Sequence, residues 1–155
     1  MPKFRLSPSF HRFAGSLAGI GYLKPAPGTW GSLAATGAFL VLQSSFIWFF
    51  LSLLILSLIL SVWSGNEVTI GGHQDPSWFV LDEWAGQSIT LLLIPVVTWW
   101  SVLLAFLLFR VFDILKPAGI NRLQDLPGGW GILMDDVLAG IYAAGVCWLV
   151  WGLMG

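Results

Sequence analysis

"GGWGILMDDVLAGIYAAGVCWLVWG", residues 128–152, decides how the chain must fold. Asp135 and Asp136 are its only charges, and the run exceeds the roughly 20 residues that carry a helix across a ~30 Å hydrocarbon layer. A carboxylate at that depth costs about 3 kcal/mol or more, so two side by side require a metal, a base or water. Gly140 and Ala144 follow Asp136 at four-residue steps, as Ala139 and Ala143 follow Asp135. The face below the acids is therefore narrow and able to pack closely on another helix, which turns the acids into a bundle and away from lipid. The same small residues permit a homodimer.

Outward from that stretch the composition is of one kind. Hydrophobic residues make up 57% of the 155 residues and charged residues 10%, against roughly 25% charged in a soluble domain. Nearly uncharged runs at 31–63, 84–109 and 132–155 predict an all-α, multi-helical integral membrane bundle, a single domain over 1–155. Cys147 lies within the last run and reads as packing. There is no basic stripe for nucleic acid. The opening residues carry Lys3, Arg5 and Arg12 but no compact apolar stretch before a small-residue cleavage site, so they are expected to stay in the mature protein. Phe10, Phe13, Leu17 and Ile20 recur at helical spacing, which makes 1–29 an interfacial segment with a short helix and 30–155 the bundle. His11, beside Arg12, reads as surface, and His73 as part of a solvated glycine-rich loop.

Three polar segments, 1–29, 64–83 and 110–131, separate the runs, whereas "QSS" at 43–45 and "PVVT" at 95–98 interrupt them without charge. Treating each uncharged interruption as a far-side turn gives hairpins 31–42/46–63 and 83–94/99–115 and a fifth helix over 132–154, hence four to five membrane-embedded helices. By parity the polar segments share one side. All seven lysines and arginines fall there, so that side is cytoplasmic and the protein is multi-pass. The first arm of each hairpin is short: 12 residues reach about 18 Å. Most tryptophans, Trp84 among them, stand near run ends, where interfacial anchors belong.

Four acidic clusters then meet on one face: Asp75; Asp82 with Glu83; Asp113; and Asp135 with Asp136. Neighbouring carboxylates cannot all ionise without a cation, and magnesium suits an all-oxygen donor set. Asp82, Glu83, Asp135 and Asp136 are placed in or near first helical turns, where the helix dipole favours them. Asp113 sits in a last turn, with Arg110 and Lys116, three residues away on either side, as its compensation. Glu67 reads as a solvated cap. Lys24 precedes "PAPGTWGS", in which Thr29 is the expected N-cap and the N–H groups of Trp30, Gly31 and Ser32 are open to an anion. Carboxylates for a metal beside Arg110, Lys116, Arg122 and Lys24 at headgroup depth point to a phosphate on a lipid.

"PGTWGSLAA" at 27–35, Asp75 ahead of "DEWAG" at 82–86, "FRVFDILKP" at 109–117 and "GGWGILMDDVLAG" at 128–140 resemble, in order, the motifs of the phosphatidylglycerophosphatase A family. The resemblance implies a magnesium-dependent phosphatase of the bacterial inner membrane. It would remove the terminal phosphate of phosphatidylglycerol phosphate, with its site facing the cytoplasm. It marks Thr29, Asp75, Asp82, Glu83, Arg110, Asp113, Lys116, Asp135 and Asp136 as the active set, with Lys24 and Arg122 as further substrate contacts. Asp82 is the candidate to take the proton of the attacking water. The rival class is a cation transporter or channel subunit, which requires acids spread through the membrane depth.

Overall fold

The computed structural model describes residues 7–70, 76–117 and 119–154, and among these every regular element is helical. Helix α1 spans Pro8–Gly15 and is followed by a 3-10 turn, Ile20–Tyr22. The bundle comprises α2 (Pro27–Leu42), α3 (Ile47–Val68), α4 (Leu81–Leu93), α5 (Trp99–Leu115), α6 (Ile120–Leu123) and α7 (Gly129–Met154). Both expected hairpins and the last helix are present, and residues 43–46 and 94–98 are the turns between hairpin arms.

The helices α2, α4 and α7 start earlier than the hydrophobic pattern indicates, because local chemistry sets their ends. Pro27 supplies the fixed φ that suits a first helical position. Gly129 begins α7 where its N–H donates to Asn66 Oδ1 of α3 at 2.8 Å, a cap provided by a different helix. The early start of α7 puts Asp135 and Asp136 in its second turn, and its first turn holds no acid. The dipole therefore offers them less than the sequence led one to expect.

Polar and apolar faces are inverted relative to a soluble bundle. Ser57, Ser61 and Ser64 of α3 are buried, while Ile55, Leu56 and Ile59 of the same helix are exposed. Leu103, Leu107, Val111 and Ile114 make a comparable exposed stripe along α5. Among the described residues two helices, α3 and α7, are long and apolar enough to cross a membrane alone. With 13 residues, α4 reaches only about 20 Å. Its far end is closed by protein, since Trp148 Nε1 donates to the Leu93 carbonyl at 2.8 Å, meeting an acceptor that lipid would leave bare.

Helix α4 is the hub. Its contact with α7 is close because Gly86 and Gly140 lack side chains: a Cβ on Gly86 would stand 2.6 Å from the Asp136 carbonyl oxygen. Thr90 Oγ1 also donates to the Gly140 carbonyl at 3.2 Å. Ala139 and Ala143 are buried against Phe109 of α5 and Ile120 of α6, and Ala144 is buried as well, so the small-residue face of α7 is used within the chain. Trp84 belongs to this interior, its ring tilted against Phe50 with centroids 5.7 Å apart, and is not an interfacial anchor. The N-terminal segment packs on the bundle through a residue assigned above to the surface: His11 is buried, its Nδ1 3.3 Å from Ser64 Oγ and its ring edge-on to Trp63.

Candidate active site

The first turn of α4, the last turn of α5 and the second turn of α7 bring their carboxylates to one end of the bundle. Asp82, Asp135 and Asp136 are each only 3% exposed. Oxygens of Asp82, Glu83 and Asp136 all lie within 4.8 Å of one another. Asp113 is within hydrogen-bonding reach of Asp136 and close to Glu83. Asp75 and His73 lie outside the described residues.

Two cations stand against the acids. Arg110 Nη1 reaches Asp113 Oδ2 at 2.6 Å, the pair one turn apart on α5. Lys116 bonds to Asp135 across the gap to α7, not to Asp113 as its spacing suggested. The reason is backbone geometry: Lys116 is the C-cap of α5 in the left-handed region, with φ 45°, which ends the shared helical face. Burial alone would lower the Lys116 pKa. The Asp135 carboxylate that it bonds, with Asp136 and Asp113 behind, nevertheless holds it above the ordinary lysine value, so the ammonium stays charged. Gln124 Nε2 donates to the same Asp135 oxygen at 3.0 Å, and the Asp136 N–H donates to the other at 3.1 Å.

The start of α2 is the remaining wall. Gly28 lies directly against the Glu83 carboxylate, and a Cβ added there would overlap that carboxylate and stand 3.2 Å from Arg110 Nη1. Ser32 Oγ accepts from Arg110 at 3.4 Å. Thr29 is not the N-cap: Ala26 holds that position, and the N–H groups of Thr29 and Trp30 both donate to its carbonyl. The expected anion cradle on Trp30, Gly31 and Ser32 is therefore absent, their N–H groups lying inside the helix. Lys24 is exposed before α2, and Glu67 lies in the last turn of α3 outside the carboxylate trio. Arg122 lines, with Lys116, Asn121 and Asp125, a cleft of about 570 Å³ that is joined to the acids through Lys116, the partner of Asp135.

A family model described as phosphatidylglycerophosphatase A matches residues 13–151. The chain belongs to that family. It is 44% identical over 128 residues to phosphatidylglycerophosphatase A of Haemophilus influenzae, covering 81% of this chain and 78% of the relative. Over 152 residues it is 33% identical to the Escherichia coli protein of the same name, 96% and 87% of the two chains. A Bacteroides thetaiotaomicron protein provisionally named a phosphatidylinositol-3-phosphatase is 38% identical over 132 residues, 81% of this chain and 83% of its own. No solved structure matches.

Three polar side chains that the motifs do not mark belong to the site's surroundings, Ser32, Gln87 and Gln124, and a fourth, Asn66, caps α7. A buried amide such as Gln87, in an apolar helix and four residues beyond Glu83, is a visible signal in the sequence. Gln124 carries no such signal, because its contact depends on the path of the loop through α6.

Proposed function

We propose that this chain hydrolyses the terminal phosphate monoester of phosphatidylglycerol phosphate, releasing phosphatidylglycerol and inorganic phosphate. Family membership names the substrate. The observation that carries the chemistry is the trio Asp82, Glu83 and Asp136, with oxygens within 4.8 Å, beside Arg110 and Lys116.

Three converging carboxylates form a hard, all-oxygen donor set, and their mutual repulsion fits them to magnesium. Bound there, the ion would neutralise phosphoryl oxygens and lower the pKa of a water. Arg110 and Lys116 bind the phosphate and stabilise charge as it develops. Asp113 orients Arg110, and Asp135 with Gln124 orients Lys116. Because Asp82 belongs to the trio, the proton of the attacking water passes to Asp113, the carboxylate beside Asp136. The cleft shared by Lys116 and Arg122 admits the phosphoglycerol head.

The enzyme sits in the bacterial inner membrane, its site on the cytoplasmic face, with α2–α5 and α7 embedded and α1 at the interface. The exposed apolar stripes of α3 and α5 support this reading. Transport is disfavoured, because the acids of the described residues collect at one end of the bundle.

The test is phosphate release by purified protein in detergent, with magnesium or with chelator. Wild type should be magnesium-dependent. Asp136→Asn should lose more than the roughly 10–100-fold typical of groups behind a metal ligand, with its helical circular dichroism retained. A folded, magnesium-loaded wild type that releases nothing would overturn the proposal, and trapping of a phosphorylated enzyme would replace direct water attack with an aspartyl-phosphate route.

A further inference from the structure

Gln87 is fully buried, and among the described residues neither its amide oxygen nor its amide nitrogen has a hydrogen-bond partner. Glu83 Oε2 and Arg110 Nε share that condition. On α4, Gln87 follows Glu83 by four residues, so it is set about 40° around the helix and about 6 Å deeper. Residues four apart share a helical face and helical side chains lean toward the N-terminus, so the amide lies on the Glu83 side of its own Cα. The α7 side of this position is closed, since Gly86 abuts the Asp136 backbone and Thr90 bonds to Gly140. Arg110 Nη1 and the Glu83 carboxylate both lie against Gly28, and Arg110 also donates to Ser32.

The four atoms are complementary as a set: Gln87 Nε2 and Arg110 Nε donate, while Gln87 Oε1 and Glu83 Oε2 accept. A water molecule offers two donors and two acceptors and is retained in buried sites by two to four such partners. We infer that Gln87 is a positioning residue for the phosphatase reaction, holding an ordered water beneath Glu83 and Arg110 that fixes the carboxylate and guanidinium in their working orientations. The inference rests on the hydrolase reading of the same site. Gln87 does not touch substrate, so its effect falls on turnover more than on binding.

Gln87→Met tests this, because methionine keeps the length and volume of the side chain and removes its hydrogen bonds. Wild type, Asp136→Asn and Gln87→Met are assayed together on short-chain phosphatidylglycerol phosphate with magnesium, and each is melted in detergent with chelator present. The expected result for Gln87→Met is kcat down tenfold or more, KM within threefold, and a Tm equal to wild type or a few degrees lower. A kcat within twofold of wild type, or a raised Tm, overturns the inference, since an amide with no partner is destabilising and its removal should help. If wild type itself is inactive the hydrolase reading fails, and the melting result still decides whether Gln87 is hydrogen-bonded. Should the variant not fold, an experimental density map of wild type decides: a water on the Gln87 amide sustains the inference, and an amide bonded only to protein atoms overturns it.

Discussion

Lys116 and Asp135 show how little a single spacing reveals about pairing. Lys116 stands three residues from Asp113 in the sequence, yet a left-handed C-cap carries it across to α7. Asp135 depends on Lys116 and Gln124 for the bonds on one oxygen and on the Asp136 N–H for the other. Lys116→Met removes the charge and leaves a buried carboxylate with part of its network, a loss of about 1–3 kcal/mol in stability. Asp135→Asn in the same chain should recover much of that loss, because the two substitutions share one interaction. Melting the two single variants and the double variant in detergent measures the coupling. Additive losses would mean that the pair contributes nothing to the fold. The identities of these residues were legible in the sequence and their partners were not, because partnership here depends on backbone paths through Lys116 and α6.

Between α4 and α7 the controlling quantity is the distance between two backbones. At Gly86 an added Cβ meets the Asp136 carbonyl and Phe109, and at Gly140 it meets the Gly86 carbonyl. These are two backbone carbonyls and a fully buried ring, not flexible side-chain tips, so one extra methyl must push the helices apart. Gly86→Ala should destabilise by about 1–3 kcal/mol, the usual range for overpacking. It should also weaken magnesium-dependent phosphate release at least tenfold, since Asp82 and Glu83 ride on one helix and Asp136 on the other. Gly145→Ala supplies the control on the same α7, where nothing lies within 4 Å of the new Cβ; it should be neutral or stabilising by up to about 1 kcal/mol. Equal effects from both would show that helix propensity, and not close approach, governs this interface. The four-residue steps of small residues below Asp135 and Asp136 announced such a contact in the sequence. They could not say that the partners were helices of the same chain, α4 for Gly140 and α5 for Ala139 and Ala143, rather than a second copy.

Across the whole molecule, the separation of charged from uncharged ends was the most legible feature of all. Apolar runs and uncharged interruptions gave the hairpins and the last helix within a few residues, and the acids of α4, α5 and α7 meet as their positions required. Helix starts were misplaced where a proline ring or a side chain from another helix sets the end, as at Pro27 and Gly129. Orientation follows from the same separation. The described lysines and arginines, Arg12, Lys24, Arg110, Lys116 and Arg122, lie in the segments at the site end, while residues 43–46 and 94–98 at the other end carry no charge, so the site end should face the cytoplasm. Single cysteines in a Cys147→Ala background test this directly, because the native thiol is buried. Ser44→Cys, in the exposed turn between α2 and α3, should react with a membrane-impermeant maleimide in intact cells. Asn121→Cys, exposed on α6 beside the Lys116 cleft, should react only after the membrane is opened. Reversed labelling would place phosphate release outside the cytoplasm. Labelling of both from one side would mean that α2 and the helices after it do not alternate across the bilayer, and the multi-pass topology would have to be redrawn around α3 and α7 alone.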